Sequence, residues 1–183
     1  MRKVIYQFTV SIDGFIESPV DSEWMIPCPE LHQHFNDVER ENISTHLYGR
    51  VMWELMSGFW PTADQPSESK EVREYAHIWQ AMEKVVFSRT LQSVEGARLA
   101  DGSIGDEVAH LKSRPGKDLS VGGANLASEF FRLGLIDEVH MYVAPVLLGS
   151  GKPMFQGIPG PLRLEPLEVR ELPGVTLLRY AVS

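Results

Sequence analysis

The stretch from Leu119 to Gly151, LSVGGANLASEFFRLGLIDEVHMYVAPVLLGSG, decides the fold. Leu119 to Val121 is a short apolar strand, and Gly122-Gly123 interrupts it. From Ala124 to Leu133 the apolar residues Leu126, Ala127, Phe130, Phe131 and Leu133 fall at helical spacing. Gly134 is placed as a helix stop, and Ile136 to Leu148 reads as a long buried strand. Strand, helix and strand in that order form a βαβ crossover, which implies a parallel pair with helices over the sheet. Glycine has no Cβ, so the backbone at Gly122-Gly123 can approach a ligand closely, and the helix that follows points free N–H groups and a partial positive charge at the same place. A phosphate suits that position. Two glycines can also make nothing more than a tight turn, and the pair carries less information than a full G-x-G-x-x-G. The rest of the chain decides between the two readings.

With 183 residues the chain is expected to form a single domain, 1–183, with a full-sized core. Its net charge of −8, from 17 basic and 25 acidic residues, makes nucleic acid and anionic membranes poor partners. Any anionic ligand must be held by local groups. Cys28 is the only cysteine, which leaves no disulfide framework and no cysteine-based zinc site. Gln7, Thr9, Ser11 and Asp13 interrupt the apolar residues after Met1-Arg2-Lys3, so this region reads as an alternating strand and not as a signal peptide. No run is long enough to span a bilayer, and a cytoplasmic location is expected by elimination.

Val4 to Val10 is a strand, with Val4, Tyr6, Phe8 and Val10 alternating against Ile5, Gln7 and Thr9. It ends in the turn-forming Ser11-Ile12-Asp13-Gly14-Phe15, at the carboxyl end where ligands sit in open α/β sheets. Pro29 to Asn42 is a helix with Leu31, Phe35 and Val38 inward and Glu39, Arg40 and Glu41 outward. Thr45 to Tyr48 is a short strand, followed by Gly49-Arg50 and a helix to about Met56. Ser67 to Met82 is an amphipathic helix capped by Ser67. Val85 to Phe87 is a strand, Ala97 to Ala100 a candidate strand, and Ser103 to Ser113 a helix. Gly149 to Pro161 reads as loop, and Leu162–Leu172 and Val175–Val182 form a terminal hairpin across Pro173-Gly174. This order predicts a three-layer α/β fold with a mostly parallel central sheet and an antiparallel C-terminal hairpin.

Three strand ends carry related chemistry: Tyr48-Gly49-Arg50, Phe87-Ser88-Arg89-Thr90 and Val121-Gly122-Gly123. Parallel strands end on one side of a sheet, so these corners are expected to converge. The diglycine amides suit a pyrophosphate. The guanidinium groups of Arg50 and Arg89 suit a further phosphomonoester by their fork geometry, which points to NADPH over NADH. Each arginine alone reads as a solvated surface charge; it is their joint position that favours binding.

In these motifs, the chain resembles the dihydrofolate-reductase-like superfamily. Within it, the resemblance is to the reductase domain of the riboflavin-biosynthesis bifunctional deaminase-reductase and its stand-alone bacterial relatives. The similarity rests on Ser11-Ile12-Asp13-Gly14-Phe15, Gly49-Arg50 with Trp53-Glu54, Ser88-Arg89-Thr90, Val121-Gly122-Gly123-Ala124, and Ile136-Asp137-Glu138 leading to Pro145-Val146-Leu147-Leu148-Gly149. The order and spacing of these motifs span nearly the whole chain. The zinc-deaminase pair, H-x-E with P-C-x-x-C, is missing, so only the reductase half is matched.

The resemblance implies NADPH as cofactor and commonly a homodimer. It places Gly122, Gly123, Ala124 and Asn125 at the pyrophosphate, Gly49, Arg50, Ser88, Arg89 and Thr90 at the 2′-phosphate side, and Thr9, Val10 and Ser11 beside the nicotinamide. In dihydrofolate reductases a carboxylate at the start of the second-layer helix holds the pterin. Trp24-Met25-Ile26-Pro27-Cys28-Pro29-Glu30-Leu31 resembles that region with one extra residue, making Glu30 a candidate acid, although a first-turn acid is also favoured by the helix dipole. Asp13 is the second candidate, against a plain turn-forming role. Trp24 and Phe35 are candidate walls for a heteroaromatic substrate. His32 and His34, two apart, share no helix face, and no metal site is expected. The expected activity is NADPH-dependent hydride transfer to a small heterocyclic or carbonyl substrate, with 5-amino-6-(5-phosphoribosylamino)uracil as the family-level substrate. The alternatives are a dihydrofolate reductase and a non-catalytic nucleotide-binding module.

Overall fold

The computed structural model describes residues 1–183. Strand β1 (Val4–Ser11) turns through Asp13-Gly14 into the short β2 (Phe15–Glu17). Helix α1 (Pro29–Asn42), with Pro29 in its first turn, runs directly into β3 (Ile43–Gly49), and α2 (Arg50–Phe59) follows. The next elements are α3 (Lys70–Ala81), β4 (Glu83–Phe87), β5 (Arg98–Leu99) and α4 (Ile104–Ser113). The stretch that decides the fold supplies β6 (Asp118–Gly122), α5 (Ala124–Arg132) and β7 (Glu138–Ala144). The chain ends with β8 (Lys152–Pro153), β9 (Leu164–Leu172) and β10 (Val175–Val182).

Eight strands form one sheet in the order β5-β4-β3-β6-β1-β7-β10-β9. The pairs from β5 through β7 are parallel, and β10 pairs antiparallel with both β7 and β9. Helices cover both faces. On one face Val108 and Leu111 of α4 and Leu126, Ala127, Phe130 and Phe131 of α5 join Val4, Tyr6, Leu47, Val85, Leu119 and Val139 in the main core. On the other face Leu31 of α1 packs with Tyr142 and Leu177, while Trp53 and Trp79 pack with Tyr48 and Val86. The alternation read along β1 divides its side chains between these two layers.

Several boundaries differ from the sequence reading. β6 and β7 are parallel but not neighbours, because β1 lies between them and pairs with both. β7 stops at Ala144 instead of Leu148, since Pro145 cannot donate to the ladder. The cap of α3 is Ser69 and not Ser67, its hydroxyl accepting the Val72 N–H at 3.2 Å. The glycine- and proline-rich segment after Gly149 holds a strand after all: β8 pairs with β2, and a Cβ at residue 151 would stand 2.0 Å from the Glu17 carbonyl, so only glycine allows that approach. Glu39 is buried, not outward. Arg2 is buried as well, donating to the Lys117 and Leu111 carbonyls and to the Ser44 and Thr45 hydroxyls.

Beneath α1, Glu138 is buried and receives hydrogen bonds from Lys3, His140 and Arg179. Burial pushes its pKa up, but these three partners outweigh burial and hold it down at about 2. The stability this group contributes is therefore complete above its ordinary value of 4.5 and is lost as pH falls toward about 2. Glu138→Gln is expected to lose stability less steeply than wild type across that interval, as read from urea midpoints at successive pH values; identical slopes would assign the acid sensitivity elsewhere. Phe130 is fully buried and meets Phe87 edge-on at 5.7 Å. Phe130→Ala should cost about 3–5 kcal/mol in denaturant unfolding.

Candidate active site

Strand register fixes where the three corners lie. Tyr48 is level with Gly122 across β3 and β6, and Gly49 is level with Phe87 across β3 and β4. The ends of β3, β4 and β6 therefore share one rim of the sheet, and Gly49, Arg50, Ser88, Arg89, Thr90, Gly122, Gly123, Ala124 and Asn125 all stand there. Gly123 caps α5 with φ +102°, a conformation that L side chains rarely adopt. The first-turn N–H groups of α5 have no intrahelical acceptor. Asn125 is exposed, and its side-chain oxygen accepts from Gln156 at 2.6 Å. Arg50 is exposed and pairs only with Glu54 one turn along, at 2.9 Å. The Ser88 hydroxyl accepts the N–H groups of Thr90 and Leu91, which turns the chain at the end of β4, and Arg89 is exposed.

A cavity of about 390 Å³ adjoins this rim on the sheet face covered by α1 and α3. Residues at alternate strand positions form its floor: Gln7 and Thr9 of β1, His46 and Tyr48 of β3, Ser120 and the backbone of Gly122 of β6, and Tyr142 of β7. Its walls include Phe35, Met52, Met56, Trp60 and Tyr75. Phe35 meets Tyr142 edge-on at 4.8 Å, and Trp60 meets Tyr75 at 4.5 Å. Gly122 belongs to both rim and floor. A Cβ there would lie 2.7 Å from the Tyr48 ring, so the absence of a side chain lets the phenol cross beneath the corner.

A hydrogen-bonded chain runs along the floor. Trp79 Nε1 donates to the Tyr48 oxygen at 3.0 Å, Tyr48 meets His46 Nδ1, and His46 Nε2 meets Glu39 Oε2 at 2.7 Å. Gln7 donates to Glu39 Oε1 at 2.8 Å. One direction of donation satisfies every link: Tyr48 O–H to Nδ1, and Nε2–H to the carboxylate. The sequence reading passed over Gln7, Glu39, His46 and Tyr48. Their signal was present, since Glu39 lies four residues beyond Phe35 and eight beyond Leu31 on one helix face, and His46 alternates with Tyr48.

The other candidates are dispersed. Thr9 and Phe35 line the cavity, whereas Val10 faces the main core. Ser11 is buried and donates to Asp13 Oδ1 at 2.6 Å. The Asp13 carboxylate also accepts the N–H groups of Leu148 and Gly149, tying the β1 turn to the loop after β7. The Ser11 hydroxyl and the Gly149 amide hold its pKa below the usual carboxylate range. Glu30 is exposed in the first turn of α1, one position off the Leu31–Phe35–Glu39 stripe that meets the sheet, and does not line the cavity. Trp24 sits in a single helical turn (Glu23–Met25), packed on the Leu31–Tyr142–Leu177 cluster.

Comparison with known proteins places this architecture in a family. Residues 2–178 match the model of the RibD C-terminal domain. The uncharacterized protein YyaP of Bacillus subtilis is 36% identical over 172 residues, covering 92% of this chain and 88% of the relative. A protein of Shewanella sp. PV-4 assigned to riboflavin biosynthesis superposes with a TM-score of 0.77 at 21% identity, covering 99% of each chain. The diaminohydroxyphosphoribosylaminopyrimidine deaminase/5-amino-6-(5-phosphoribosylamino)uracil reductase of Thermotoga maritima superposes with a TM-score of 0.70 at 18% identity, over all of this chain and 57% of that one. Together with a mostly parallel sheet closed by an antiparallel hairpin, these matches make the chain a member of the RibD C-terminal domain family, with the dihydrofolate-reductase-like fold.

Proposed function

We propose that the protein is an NADPH-dependent reductase that delivers hydride to a small heterocyclic or carbonyl substrate. One observation carries the reading: an anion-suited rim of three corners opens, at Gly122, onto an aromatic-walled cavity. The residues present fit the dinucleotide. Gly122, Gly123 and the first-turn amides of Ala124 and Asn125 would hold the pyrophosphate, and the positive φ at position 123 favours glycine, which brings no side chain into the approach. Arg50 and Arg89, with Ser88, Thr90 and the Gly49 backbone, would hold the 2′-phosphate. Arg50 gives up little to do so, because an exposed pair one helical turn apart is worth only about 0.3–0.5 kcal/mol. Thr9, on the cavity side at the end of β1, would border the nicotinamide, with Val10 and Ser11 supporting it from the strand.

When bound, the reduced nicotinamide supplies the hydride; the chain positions the two rings and excludes water. Asp13 and Glu30 gain no support as proton sources: Asp13 is held ionised by its loop contacts, and Glu30 faces solvent. In this reading the proton comes from water. The name of the Thermotoga maritima neighbour gives 5-amino-6-(5-phosphoribosylamino)uracil, which is the family-level reference against which this chain's own substrate is judged. A homodimer is part of the same proposal, supported by the exposed Leu164, Leu167 and Val169 of β9.

The dinucleotide assignment is tested by titrating NADPH and NADH into wild type and into Arg50→Ala and Arg89→Ala. Each variant is expected to weaken NADPH by about ten- to a hundredfold, the loss of one charge-assisted contact, and to leave NADH nearly unchanged. Equal losses for the two nucleotides would refute it.

A further inference from the structure

The cavity has an electrostatic character that the family-level substrate does not require. No lysine or arginine lines it, and Glu39 is its only carboxylate. Glu39, from α1, is 7% exposed and His46, from the floor, 3% exposed, so the pair is withdrawn from bulk water. In the donation pattern that satisfies the chain from Trp79 to Glu39, Glu39 receives two hydrogen bonds, from Gln7 and His46. His32, on the wall, is half-buried, and desolvation pushes its pKa below the ordinary value, so it adds no cation at neutral pH. A carboxylate in an apolar enclosure with no lysine or arginine beside it favours a ligand that brings donors or positive charge, and its field opposes an anion. Each carboxylate oxygen has a lone pair beyond those used by Gln7 and His46. The walls are flat and aromatic at Phe35, Trp60 and Tyr75, and Tyr142 adds an aromatic ring from the floor.

We propose that this cavity takes an unphosphorylated planar heteroaromatic molecule whose in-plane N–H groups, neutral or cationic, bond to the Glu39 carboxylate, and that it turns anionic ligands away. The proposal names the substrate class of the reductase and so rests on that reading. Glu39 acts as the specificity-determining residue, with Gln7 and His46 fixing its orientation. A phosphate-bearing substrate would find no partner for its phosphate within the cavity.

Three probes test this on the wild-type protein by calorimetry and by quenching of tryptophan fluorescence, to which Trp60 reports. They are 2-aminobenzimidazole, with an amidine-like donor edge; benzimidazole-2-carboxylate, the same rings bearing an anion; and uridine 5′-monophosphate. The first is expected to bind, and the other two are not expected to bind at concentrations that saturate it. Glu39→Gln should weaken 2-aminobenzimidazole by about ten- to a hundredfold, the range for one charge-assisted hydrogen bond. Equal or tighter binding of either anion, or unchanged affinity in Glu39→Gln, would overturn the proposal. The comparison of probes needs no variant, so it remains decisive if Glu39→Gln fails to fold. NADPH titrated into the same wild-type samples separates the two readings: loss of dinucleotide binding with probe selectivity intact would overturn the reductase and leave the cavity's preference standing.

Discussion

Everything in this molecule depends on β1 being hydrogen-bonded on both sides by parallel strands from the second half of the chain. β6 and β7 are joined by α5, yet β1 lies between them, so the crossover spans the first strand of the protein. Val4 pairs with Leu119, and Ser11 reaches Ala144, so both ends of that strand are fixed by partners more than 110 residues away. The hydrophobic burial of Val4, Tyr6 and Val10 against α4 and α5 accompanies these ladders. With β1 so held, its other face presents Gln7 and Thr9 to the cavity without freedom to drift.

The same pairing unites rim and cavity. Parallel strands bring their carboxyl ends to one border, and the chain reverses its direction of travel across the sheet near β1, where ligand crevices form in open α/β proteins. Gly122 stands at that junction. Its missing side chain serves the backbone corner above and the Tyr48 ring below, which in turn delivers the phenol to His46 and Trp79.

Much of this was legible in the sequence because periodicity and punctuation report local structure. The 3.6-residue spacing of Leu126, Ala127, Phe130 and Phe131 and the stop at Gly134 gave α5, and alternation gave β1. Pairing was less legible. Nothing in Leu119–Gly151 alone says that a third strand inserts between β6 and β7, since that is decided by which apolar faces find each other at long range. The rim corners could be read because glycine, serine and arginine have distinctive local chemistry. The polar floor left a fainter signal, the helical spacing of Leu31, Phe35 and Glu39, which Arg40 and Glu41 masked by making Glu39 read as part of a solvated face. Glu30 shows the converse: helical geometry places it one position away from the stripe that meets the sheet, whatever the neighbouring residues resemble.

The two borders of the sheet are unequal. β5 contributes only Arg98 and Leu99, while β9 offers nine residues. A border of that length invites further strands to add on, and the chain counters this with Pro166, with the charged Glu165, Glu168, Arg170 and Glu171, and with a bulge in β9 at Leu167, skipped where Arg179 faces Glu168 and Tyr180 faces Pro166. Leu167 and Val169 are both exposed, with Val169 level with Leu178 and Leu167 left over by the pairing. In the proposed homodimer, stacking ribbon against ribbon would cover both. Such stacking about a twofold axis closes after two copies, whereas strand-by-strand growth has no natural end.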